Sequence, residues 1–127
     1  MANVYSNYFE MEILNADPVQ LVTILYRAAL VSAGAARKHL EAREIGERSR
    51  SIAKTQGILH ELMMSLDHER GGQISRSLGA LYSYMLERLI EANSQQADAP
   101  LAEVEKLLST LLEGWNGIRE EPAAAVA

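Results

Sequence analysis

Apolar side chains recur along this chain at intervals of three and four residues, and in no segment do they alternate as along a half-buried strand. Four runs carry the rhythm, separated by breaks that hold Gly, Pro, Asp or Asn. The first opens on Asp17-Pro18, where Asp reads as an N-cap, Pro suits the first helical position, and Gln20 stands where a capping box takes its reciprocal partner. It predicts a helix from Pro18 to about Arg43, through Leu21, Leu25, Ala28, Ala29, Ala33, Ala36 and Leu40. Gly46 breaks the pattern, and the charged stretch EIGERSRS leads into a second helix with Ile52, Leu59, Leu62, Met63 and Leu66, ending near Asp67. Gly71 and Gly72 read as a flexible connector to a third helix carrying Ile74, Leu78, Leu81, Tyr82, Met85, Leu86, Leu89 and Ile90 and closing at Asn93. After NSQQADAP, Asp98 or Ala99 caps a fourth, with Pro100 in its first turn and Leu101, Val104, Leu108, Leu111, Leu112, Trp115 and Ile118 along it.

Short links make successive helices antiparallel, so the expected class is all-α: an up-and-down four-helix bundle over residues 17–118. Residues 1–16 are expected to form an N-terminal arm, with or without a short extra helix, bearing Tyr5, Tyr8, Phe9, Met11, Ile13 and Leu14, and residues 119–127, REEPAAAVA, a disordered tail. The helices carry more apolar surface than one core requires. At about 100° per residue, the apolar positions of the third helix span roughly half its circumference, against a stripe of ~100° for packing on one core. From Val19 to Val31, only Gln20, Thr23 and Arg27 are strongly polar. Either each helix meets two neighbours and the arm covers what is left, or an apolar trough accepts a partner's amphipathic segment with the arm as its movable cover. Periodicity does not choose.

Composition narrows the field. The chain has 127 residues, enough for one domain with a core. Its 12 basic residues are scattered and the net charge is −5, which disfavours a nucleic-acid partner. There is no cysteine, the start MANVYSNYFEMEIL lacks the features of a secretion signal, and no apolar stretch approaches the ~20 residues of a membrane span, so a cytoplasmic protein without membrane insertion is expected.

The stretch SLDHERGGQIS concentrates ionisable groups, yet Asp67, His68 and Glu69 are adjacent and diverge around a helix end. A metal site in a bundle uses Glu-x-x-His pairs, and the residues three before His39, His60 and His68 are Ala36, Gly57 and Ser65. Gly71-Gly72 follows a helix rather than a strand and has no nucleotide-loop lysine. No catalytic, metal or cofactor site is therefore expected. The mixed charges Glu41, Arg43, Glu44, Glu47, Arg48 and Arg50 read as a solvated corner, and Tyr5 and Tyr8 as anchors with buried rings and wet hydroxyls.

Several stretches together resemble the flagellin-specific export chaperones of the FliS type. NVYSNY is similar to that family's N-terminal Asn-Pro-Tyr and following Tyr; LNADPVQLVTILYRAAL to its first-helix opening; SLDHERGGQIS with LGALYSYMLERLIEAN to its signature turn and third helix; and LAEVEKLLSTLLEGW to its closing helix. The resemblance implies a cytoplasmic helical bundle that binds the disordered C-terminal segment of flagellin, prevents premature polymerisation and assists delivery to a component of the flagellar type III export gate. It implies no catalysis, and an arm that covers the groove when flagellin is absent. Carried over residue by residue, the partner-binding positions are Tyr5 and Tyr8 on the arm, Leu21, Leu25 and Tyr26 on the first helix, Ile58 and Leu62 on the second, and Leu78, Leu81, Tyr82, Met85 and Leu89 on the third. Val4 replaces the family's usual Pro, and Arg27 and Ala28 stand where an acid and a Gly are common. The expected state is a monomer or weak dimer. The alternative is a structural bundle that satisfies its surplus apolar face by self-association and has no export role.

Overall fold

The structure is a computed structural model that describes residues 18–117 and Ala125. Four helices occupy the described residues: α1, Pro18–Glu41; α2, Ile45–Met64; α3, His68–Gln95; and α4, Asp98–Asn116. α1 packs along α2 and α4, and α3 packs along the same two, so α1 and α3 face each other across the diagonal of an all-α four-helix bundle. Two- and three-residue links join successive helices and turn each one back along its predecessor.

α1 begins at Pro18 as expected; its expected cap, Asp17, lies outside the described residues. It ends two residues early because the backbone turns left-handed at Arg43, with φ 60°. The Arg43 amide donates to Leu40 O at 3.1 Å and the Glu44 amide to His39 O at 2.9 Å, so a Schellman motif satisfies the last carbonyls without glycine. α2 follows at once. Gly46 does not interrupt it, because in a first turn the amides lack helical acceptors in any case, and EIGERSRS is helix rather than a lead-in.

That stretch is also not wholly a solvated corner. Arg48 is buried, its Nε donating to Asn93 Oδ1 at 3.2 Å beside the C-terminus of α3, where helix carbonyls favour a cation. α2 ends at Met64, short of Asp67, because Asp67 caps the next helix, its carboxylate accepting from the Arg70 amide at 2.9 Å. α3 therefore starts before the double glycine. The expected connector is a kink within the helix, where Gly72 takes φ 51° and ψ −122°, a region an L side chain enters only under strain. At α4 the N-cap is Ala97, and the Asp98 carboxylate pairs with Arg37.

The interior holds Val22, Leu25, Tyr26, Ile52, Leu59, Leu62, Leu78, Tyr82, Met85, Leu89, Leu101, Val104, Leu108 and Trp115. α1 buries the small side chains Ala29, Ser32, Ala33 and Ala36, which let neighbouring backbones approach, and Ser32 Oγ meets Thr55 Oγ1 of α2 at 2.6 Å. Across the diagonal, Tyr26 and Tyr82 share a hydroxyl hydrogen bond of 2.5 Å, and Trp115 Nε1 donates to the Tyr26 oxygen at 2.9 Å. Among the described residues no buried side-chain polar atom lacks a partner. Contrary to the sequence expectation, α1 is long and apolar enough to cross a bilayer by length and composition. Lying between α2 and α4, it turns seven residues into the bundle. Of the expected tail, Ala125 alone is described; it is buried and its carbonyl accepts the Asp67 amide.

Candidate binding clefts

Among the described residues, two apolar clefts open between neighbouring helices. The larger, about 530 Å³, lies between α1 and the second half of α2: Leu21 and Leu25 form one wall, Gly57, Ile58 and Met64 the other, and Lys54 and Glu61 stand at its edge. Its depth has a local cause. Gly57 sits in the helix interior without positive φ, and a Cβ built there meets nothing within 4 Å, so the missing side chain is itself part of the hollow. Met64 is 80% exposed, leaving a flexible, polarizable thioether at the rim that can adapt to different apolar surfaces.

The second cleft, about 200 Å³, runs between α3 and α4, lined by Ile74, Leu78, Thr110, Leu111, Gly114 and Trp115. Here too a helical glycine, Gly114, faces open space. A third hollow, about 540 Å³, lies where α1 ends beside the start of α4 and is lined by Gly34, Arg37, Lys38, Leu40, Glu41, Asp98 and Glu105. Its character is ionic. The Arg37 guanidinium grips both Asp98 oxygens, at 2.8 and 2.9 Å, and Glu105 at 2.6 Å. The Arg37 hydrogen bonds hold the Asp98 carboxyl below the usual carboxylate range. Arg37 is thus committed to carboxylates of its own chain.

The expected partner-binding residues separate by depth. Leu21, Leu25 and Ile58 line the α1/α2 cleft and Leu78 the α3/α4 cleft. Leu81 is half-buried against the core. Tyr26, Leu62, Tyr82, Met85 and Leu89 are completely enclosed: 82, 85 and 89 follow the inward stripe of α3, so these neighbours build the interior rather than an open wall. Tyr5 and Tyr8 lie outside the described residues, as does the arm. Arg27 is exposed on α1 and Ala28 packs on the core.

Sequence reasoning missed Gly57, Met64, Lys54 and Glu61 in the first cleft and Gly114 in the second, and assigned Ile74, Leu111 and Trp115 to helices without giving them a binding role. The available signal was a lone glycine inside an otherwise strong helix, which often has a packing or functional reason. Burial raises the Tyr26 and Tyr82 hydroxyls above the usual phenol range, and the two serve as a structural hydrogen-bonded pair.

The profile of the family described as flagellar protein FliS matches residues 1–122. The chain is similar to the flagellar secretion chaperone FliSB of Pseudomonas aeruginosa, 38% identical over 109 residues that cover 86% of each chain. It is likewise similar to flagellar secretion chaperone FliS of Salmonella typhimurium, 34% identical across 86% of this chain and 82% of that protein, and of Bacillus subtilis, 31% identical across 89% and 84%.

Proposed function

The chain belongs to the FliS family of flagellar secretion chaperones, and from that premise we propose that it holds the C-terminal segment of flagellin against its apolar clefts. In this reading it keeps the segment from polymerising prematurely and assists its delivery to the flagellar type III export gate from the cytoplasm. The observation that carries the reading is the α1/α2 cleft: an open apolar hollow on a bundle whose interior is already filled and hydrogen-bonded. A segment that awaits partner subunits in a filament presents an apolar helical face, and such a cleft replaces those subunits temporarily. Coupled folding of a disordered segment buries on the order of 1,000–3,000 Å² while losing several kcal/mol to ordering, which keeps the complex reversible. If the arm covers the cleft in the free protein, apparent affinity falls by the fraction of molecules already open.

The test fills the cleft from its floor. Gly57→Trp places an indole in space that the fold leaves empty, so the bundle should melt no lower than the parent while calorimetric titration with a flagellin C-terminal peptide shows affinity reduced at least tenfold, about 1.4 kcal/mol. Gly57→Ala adds only a methyl and improves helix propensity; it should melt higher by the equivalent of about 0.5–1 kcal/mol and still bind. Unaltered affinity in the Trp variant removes the cleft from the reading. A parent protein that ignores the peptide and runs as an obligate oligomer in light scattering favours the self-associating bundle.

A further inference from the structure

The corner between α2 and α3 contains a contact that the two helices do not account for. Asp67 caps α3 by accepting from the Arg70 amide. In a capping box the side chain at that third helical position accepts the cap residue's own N–H in return. Arg70 occupies the position here, and a guanidinium carries only donors. The Asp67 amide donates instead to the carbonyl of Ala125, at 2.7 Å. Ser75 Oγ shares its hydrogen between the carbonyls of Asp67 at 2.8 Å and Ala125 at 3.3 Å. Ala125 is completely buried. Gly71 makes the approach possible: a Cβ there would stand 2.6 Å from Ala125 Cα and 1.9 Å from Ser75 Oγ.

The three partners straddle the kink. Asp67 and Gly71 precede the non-helical Gly72 and Ser75 follows it, so one carbonyl is bonded on both sides of the bend. Immediately beyond lie Ile74 and Leu78, which line the α3/α4 cleft opposite Trp115. We propose that Asp67, Gly71 and Ser75 form a docking slot for Ala125 of the chain's own C-terminal region, and that Ala125 seated there locks the bend in α3 and with it the wall of the α3/α4 cleft. The slot reads a backbone carbonyl and a small side chain. Ala125 supplies both, a carbonyl and a methyl side chain. The inference is independent of what the clefts bind.

Amide hydrogen exchange tests it on the full chain, a chain ending at Glu121, and full-length Ala125→Arg. Both altered chains should exchange the Asp67 amide at least tenfold faster while amides of the interior residues Leu62 and Val104 keep their protection, showing the fold intact. They should also quench the single tryptophan, Trp115, more strongly with the apolar dye anilinonaphthalene sulfonate. Arg70→Glu restores the capping-box acceptor and should keep Asp67 protected even in the shortened chain. Equal Asp67 exchange with and without the tail overturns the docking slot, and equal dye quenching overturns its hold on the cleft.

Discussion

Tyr26 is the residue on which the interior turns. Its oxygen accepts from Trp115 and its hydroxyl meets Tyr82, so three elements depend on one atom. Removing it leaves an indole N–H and a phenol without partners in a dry site, whereas removing the Tyr82 hydroxyl breaks one bond only. Tyr26→Phe should therefore destabilise by about 2–3 kcal/mol and Tyr82→Phe by about 1 kcal/mol, compared by urea unfolding with the slope checked for constancy. The apolar identity of these residues was legible in the sequence, but their depth was not. A helical wheel cannot say whether Tyr82 faces a groove or the diagonal partner, because that depends on how neighbouring helices are rotated. Arg48 shows the converse: hydropathy scores it as solvent-facing, while its long stem and the amide acceptor of Asn93 let it lie inside.

At the level of elements, the four helices and their order followed from periodicity and breakers, and the discrepancies sit at their ends, where hydrogen bonding outweighs pattern. Arg43 adopts a conformation that glycine takes without steric cost. Arg43→Gly should raise stability by about 1 kcal/mol in thermal melts, because the Schellman bonds are backbone bonds and survive the substitution. On α3, Met85 is enclosed and Leu81 only half-buried. Met85→Asp should thus cost more than about 4 kcal/mol and abolish cooperative folding, while Leu81→Asp costs about 1–2 kcal/mol and leaves a cooperative melt. The candidate site was readable only in part for the same reason. Leu21, Leu25, Ile58 and Leu78 stood out as apolar, whereas the hollow beside Gly57 is made by an absent side chain, to which a search for apolar residues is blind.

Across the molecule, charge ties α4 both to its predecessor in the chain and to the distant α1. Arg37 joins α1 to α4 through Asp98 and Glu105, and Arg88 joins α3 to α4 through Glu103. The Asp98 carboxyl titrates below its unfolded value of ~3.9, so its contribution is present above that value and disappears as the pH falls through the lower folded value. Arg37→Met should lower stability at neutral pH by less than about 1 kcal/mol, since the pair is partly exposed, and the difference from the parent should shrink below about pH 4. Urea unfolding across that range measures it; a difference that persists unchanged into acid would mean Arg37 acts through packing.

Four rods standing at the corners of a square can lean together like a parallelogram, each edge contact sliding a little. A strut from corner to corner forbids that shear. The hydroxyl bond between Tyr26 and Tyr82 joins the diagonal pair α1 and α3, and so braces the outline of the frame. The hollow between α1 and α2 then keeps its shape while empty, and any chain that docked there would meet a surface set in advance.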